Sequence, residues 1–132
     1  MTEKKILLAE DDMDDQRLFN EFLHHRADIV LMPMFENGEV LLQFLKATTA
    51  DGDLPDLIIL DQNMPKRNGL QTLQRLKEEC RYANIPVVIY STYADHQLIK
   101  DALKIGASTV VAKPVTREGY HQMMDDLLKL IP

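Results

Sequence analysis

The stretch Leu57-Ile58-Ile59-Leu60-Asp61 sets four consecutive apolar residues before a single acid, and Asn63-Met64-Pro65 follows at once. A short run that is apolar at every position, rather than at alternate ones, has the pattern of a strand buried on both faces. Ile6-Leu7-Leu8, Val87-Val88-Ile89-Tyr90 and Thr109-Val110-Val111-Ala112 share that form. Ile29 to Met34 is also extended in character, but Pro33 has no N–H to give to a ladder, which assigns this segment to a sheet edge.

Helical patterns fill the intervals. Leu18, Phe19, Phe22 and Leu23 make one stripe, with Asp14 and Asp15 near the positive end of the helix dipole; Val40, Leu41, Phe44 and Leu45 make a second. Leu70, Leu73 and Leu76 follow Gly69, while Leu98, Ile99, Ala102 and Leu103 run to Gly106, a left-handed helix stop. Tyr120, Met123, Met124, Leu127 and Leu128 complete the set, with Thr116 as the expected cap. Strand and helix thus alternate five times. Parallel strands need crossovers, and each crossover helix must bury its stripe, so the class is α/β with helices on both faces of a parallel sheet. Ala47 to Leu54 reads as a loop.

A length of 132 residues fits one domain over 1–132, with no separate output or DNA-binding module. The net charge of -6 disfavours non-specific attraction to nucleic acid or anionic membrane. The apolar run Ile6 to Ala9 is too short for a signal-peptide core or a membrane span, and the lone Cys80 has no partner for a disulfide or a zinc site, so a reducing, cytoplasmic location is expected.

Ligands of doubly wound sheets bind beyond the carboxyl ends of the strands. There the sequence places Glu10-Asp11-Asp12, Asp61, Ser91-Thr92 and Lys113-Pro114. Three carboxylates held together are costly unless a hard cation joins them, and oxygen ligands suit magnesium, so Glu10, Asp11 and Asp61 are the candidate metal ligands. Magnesium shares its remaining positions with phosphate, which makes Asp61 the candidate nucleophile, Lys113 its charge partner and Ser91 a hydroxyl donor to a phosphoryl oxygen. Asp12, Asp14 and Asp15 read as solvated turn or cap groups, the four histidines have no assigned chemistry, and Met123 and Met124 read as core.

The segments Ile6-Leu-Leu-Ala-Glu-Asp-Asp12, Leu60-Asp-Gln-Asn-Met-Pro65, Val87-Val-Ile-Tyr-Ser91 and Ala112-Lys-Pro114, with Gly69 and Gly106-Ala107, resemble the receiver domains of two-component systems. The resemblance implies a flavodoxin-like five-stranded sheet in the order 2-1-3-4-5 with five flanking helices. It implies a phosphoryl group on Asp61 from a histidine kinase or phosphotransfer protein, and Mg2+ or Mn2+ held by Glu10, Asp11, Asp61 and the main-chain carbonyl of Asn63. Ser91 and Lys113 match the family's hydroxyl and lysine. Val110 stands where many receivers have an aromatic toggle, and Tyr93 stands where a side chain overhangs the phosphoryl group, which implies slow dephosphorylation. The implied partner surface comprises the fourth helix, fifth strand and fifth helix, with Tyr93, His96, Val110 and Tyr120, facing a downstream protein or a second copy of the chain.

Two other readings compete. A receiver that has lost its chemistry would serve as a constant scaffold, which Val110 alone suggests and the intact acidic cluster opposes. A small aspartyl-phosphate hydrolase would use the paired acids Asp12 and Asp14, but the better-placed nucleophile follows the third strand, not the first; turnover of a small phosphate ester would be needed to revive it.

Overall fold

Over residues 3–132, which the computed structural model describes, the order is β1 (Lys4–Ala9), α1 (Met13–Leu23), β2 (Ile29–Leu31), α2 (Gly38–Ala47), β3 (Leu57–Asp61), α3 (Gly69–Glu78), β4 (Val87–Ser91), α4 (His96–Ile105), β5 (Thr109–Ala112) and α5 (Arg117–Leu128). All strand pairs are parallel, in the order β2-β1-β3-β4-β5, which is the flavodoxin-like arrangement. β3 lies at the centre, and the pairings Ala9 with Leu60 and Asp61 with Tyr90 bring the ends of three strands level.

Alternation along β3 explains why both faces are covered. Ile58 and Leu60 enter a cluster with Leu41 and Leu45 of α2, Leu73 and Leu76 of α3, and Ala102 of α4. Leu57 and Ile59 enter the opposite cluster with Phe19 and Leu23 of α1 and Met123, Met124 and Leu127 of α5. Each fully buried aliphatic side chain contributes about 1.5–3 kcal/mol, so a continuous apolar strand holds helices on both sides of itself. Tyr120, expected on a partner surface, is only 2% exposed and packs against Phe19 and Phe22 at centroid distances of 6.2 and 5.2 Å. It is the first member of the apolar stripe of α5, and burial of that stripe decides its direction.

β2 stops at Leu31, short of the expected Met34. The reason is Pro33: Met32 still donates to the Ile6 carbonyl at 2.9 Å, the chain skips the proline, and Phe35 donates to Leu8 at 3.1 Å. Phe35 then accepts from the Glu10 N–H at 2.8 Å, which fixes the backbone where the acidic segment begins. The sheet edge therefore supports the pocket as well as closing the sheet.

Helix starts are capped by Asp12, Asn37, Asn68, Asp95 and, as expected, Thr116, each cap being worth about 1 kcal/mol. Gly106 ends α4 at φ +126°, a backbone conformation that side-chain-bearing residues rarely adopt. The loop after α2 contains one short 3-10 turn at Asp51–Asp53. Arg26 ties the end of α1 to α5 by pairing with Asp28 and Asp125, both at 2.7 Å. Among the described residues, no helix is long and apolar enough to cross a membrane.

α2 and α3 approach so closely at Gly38 that a Cβ there would overlap Thr72 Oγ1 and lie 3.0 Å from Arg67 Cβ. Helix propensity alone favours alanine over glycine by about 1 kcal/mol, but overpacking costs about 1–3 kcal/mol and should prevail. Gly38→Ala is therefore expected to lower stability in urea denaturation, and adding Thr72→Ala, which removes the obstructing hydroxyl, should recover part of the loss. A more stable Gly38→Ala variant would contradict the close approach.

Candidate functional site

The carboxyl ends of β1, β3, β4 and β5 bring Glu10, Asp61, Ser91 and Lys113 to one edge of the sheet. Lys113 extends into a cavity of about 530 Å³ that Asp11, Asp15, Asp61, Asn63 and Thr92 also line. Its Nζ lies 2.7 Å from Glu10 Oε1, 2.9 Å from Asp15 Oδ2 and 3.4 Å from Asp61 Oδ2. The backbone of Lys113 is fixed by its N–H bond to the Ser91 carbonyl at 2.8 Å, and its ammonium sits 5.4 Å from the centroid of the buried Tyr90 ring. An aromatic face at that distance attracts a cation while closing the route inward.

Glu10 and Asp61 are buried, and Asp11 is exposed at the rim. One oxygen from each of Glu10, Asp11 and Asp61 lies within 4.8 Å of the others, the arrangement expected of a shared cation site. Burial and the neighbouring Asp61 carboxylate push the Glu10 carboxyl up to about 8. The same two causes, burial first, raise Asp11. Burial alone would lower the Lys113 ammonium, but Glu10 and Asp15 outweigh it and hold the group above the ordinary lysine value. Glu10 Oε2 accepts from the Asp12 N–H at 3.1 Å; buried Oε1 has no hydrogen bond of good geometry and faces the ammonium. An oxygen-only donor set with an under-satisfied buried carboxylate fits a hard divalent cation.

Several expected residues behave differently from a simple lining. Asn63 lines the cavity beside Asp61, its N–H reaching Asp61 Oδ1 at a long 3.4 Å. Ser91 stands at the strand end, but its hydroxyl donates to the Tyr93 carbonyl at 3.0 Å and accepts from the Tyr93 N–H at 3.3 Å. Tyr93 is 76% exposed, His96 is exposed at the start of α4, and Val110 is half-buried against the α2–α4 side of the core. The rings of His25 and His121 meet at 5.7 Å, yet no histidine joins a group of metal-ligating residues among the described residues.

Asp12 and Asp14 are the cap and the solvated first-turn acid that the sequence suggests. Asp15 is not: it bonds Lys113. Its signal was present, since Asp15 stands four residues before the fully buried Phe19 and so shares the inward side of α1. The sequence marks Tyr90, beneath the ammonium, only as part of a strand; alternation along β4 puts it on the α1 and α5 side.

Clustered acids make this site a stability liability. Asp61→Asn keeps the shape and removes one charge from beside Glu10, so in the presence of chelator it should raise unfolding stability in urea by about 0.5–2 kcal/mol. A loss of stability would show that the Asp61 pairing with Lys113 outweighs the repulsion.

Residues 6–125 match the response regulator receiver domain family. The structure superposes on the phosphorylated cyanobacterial phytochrome response regulator RcpA with a TM-score of 0.82 and 26% identity, covering 98% of this chain and 94% of that one. The Mn2+-bound form of response regulator Rcp1 gives 0.77 and 27%, covering 93% and 90%. Among curated proteins, a protein-glutamate methylesterase/protein-glutamine glutaminase of Trichodesmium erythraeum is 30% identical across 100% of this chain but only 36% of its own length. The chain likewise spans about half of other curated relatives. With the family's strand order, and with its acids, hydroxyl and lysine at the ends of the strands, the chain belongs to the response regulator receiver domains of two-component signal transduction.

Proposed function

We propose that this receiver domain is a phosphorylation-dependent switch in which Asp61 accepts a phosphoryl group from a histidine kinase or phosphotransfer protein. The observation that carries the reading is the convergence of oxygens from Glu10, Asp11 and Asp61 within 4.8 Å, with the Lys113 ammonium 3.4 Å from Asp61. An Asp61 carboxylate oxygen forms the new bond to phosphorus; the bond from phosphorus to the donor breaks, and the donor leaves with the electron pair. Mg2+ or Mn2+, when held by Glu10, Asp11, Asp61 and the Asn63 carbonyl, would neutralise charge on the phosphoryl oxygens. RcpA in its phosphorylated form and Rcp1 in its Mn2+-bound form support this by analogy.

Lys113 supplies a fixed positive charge and one N–H to the arriving group. Ser91 must give up its bond to the Tyr93 carbonyl before its hydroxyl can reach a phosphoryl oxygen. That exchange releases the β4–α4 loop, which carries Tyr93 and leads to His96, and so couples the pocket to an exposed surface. Val110, half-buried beside α4, offers no ring to swing, so the loop exchange is the conformational step of this chain and a downstream protein or second copy is its reader.

Intact-protein mass after incubation with acetyl phosphate and magnesium should show one phosphoryl adduct, absent in chelator and in Asp61→Asn. An adduct that persists in Asp61→Asn, or none under any condition including a kinase, would contradict the reading. Tyr93→Ala should shorten the adduct's lifetime, and an unchanged lifetime would remove the shielding role of the ring.

A further inference from the structure

Three carboxylates touch one ammonium, and they are not equivalent. Glu10 and Asp61 belong to the group whose oxygens are close enough to share a cation; Asp15 does not. If Lys113 were held by Glu10 and Asp61 alone, ammonium and metal would compete for the same two buried acids. Asp15 supplies a counter-ion that the metal does not need, and it contacts Lys113 more closely than Asp61 does, 2.9 against 3.4 Å.

We propose that Asp15 is a positioning residue: it holds Lys113 by a carboxylate outside the metal ligand set, so that the ammonium and the divalent cation occupy the pocket together and Asp61 stays free for both metal and phosphoryl group. This rests on the proposed phosphoryl-accepting function and adds to it a residue that the matching segments do not assign. The local structure fits the task. Asp12 caps α1 by accepting from the N–H groups of Asp14 and Asp15, which fixes the first turn; Asp14 then projects to solvent while Asp15 turns to the pocket. Lys113 is 12% exposed and the Tyr90 ring lies beneath its ammonium, so the lysine has little freedom to find another partner. When a phosphoryl group arrives on Asp61, Glu10 and Asp15 keep the ammonium anchored while its third N–H turns to a phosphoryl oxygen.

The test is Mg2+ titration by calorimetry on the full chain, comparing the parent protein with Asp15→Asn, Asp15→Glu, Lys113→Met and the double variant Asp15→Asn/Lys113→Met. Asp15→Asn should weaken Mg2+ binding by about three- to tenfold, because the ammonium falls back on Glu10 and Asp61, and the effect should shrink below about twofold once Lys113 is gone. Asp15→Glu, which restores the charge, should recover most of the affinity. Unchanged affinity in Asp15→Asn overturns the proposal, as does an equal loss in the Lys113→Met background, which would mean that Asp15 simply attracts the cation through space. Should Lys113→Met fail to fold, rescue by Asp15→Glu decides: recovery supports the role and no recovery overturns it. A parent protein that binds no Mg2+ would instead overturn the proposed function itself.

Discussion

Lys113 carries one positive charge among Glu10, Asp15 and Asp61, two of which are buried. Burying carboxylates without compensation is among the most costly things a small domain can do, since each loses its hydration and each repels the next. The ammonium offsets part of that cost and defines the geometry of what remains. Its position is set from three directions: β5 delivers it, the Ser91 carbonyl fixes its backbone, and the Tyr90 ring limits its depth. The site is thus a charge imbalance held in place by the sheet, and its oxygen donor set fits a divalent cation.

The fold exists in the form that lets this imbalance persist. A central strand buried on both faces anchors two apolar clusters, which supply the stability that the pocket consumes. Parallel strands all end on the same side, so four side chains from distant parts of the sequence meet without a long loop. Even the edge strand contributes, because the re-pairing after Pro33 fastens Glu10 through the Phe35 carbonyl. In the proposed function the switch element is the Ser91 hydroxyl, which donates to the Tyr93 carbonyl of its own loop and would exchange that partner for a phosphoryl oxygen.

Sequence pattern made much of this legible. The four continuous apolar runs became β1, β3, β4 and β5, the proline placed the remaining strand at an edge, and the acid after β3 and the lysine after β5 lie 3.4 Å apart. Direction within the first turn of α1 is carried only by the spacing of Asp15 from the buried Phe19 four residues on. Asp14 and Asp15 are chemically identical neighbours, and only packing of α1 against the core sends one outward and the other to Lys113. Tyr120 belonged to two expectations, core stripe and partner surface, and burial of an aromatic ring decided between them. Ser91 ends β4, but the partner of its hydroxyl depends on the conformation of the following loop, which sequence spacing does not encode. The approach of His25, in the turn after α1, to His121 of α5 likewise depends on helix packing.

The proposed function depends most directly on the identity of the cation site, and one measurement reaches it: anomalous diffraction from crystals of the full chain containing Mn2+. The prediction is a peak at the carboxyl ends of β1 and β3, beside the oxygens of Glu10, Asp11 and Asp61 and the Asn63 carbonyl, with the Lys113 ammonium still beside Asp61. A peak elsewhere, or none while the protein is saturated with Mn2+ in solution, would contradict it.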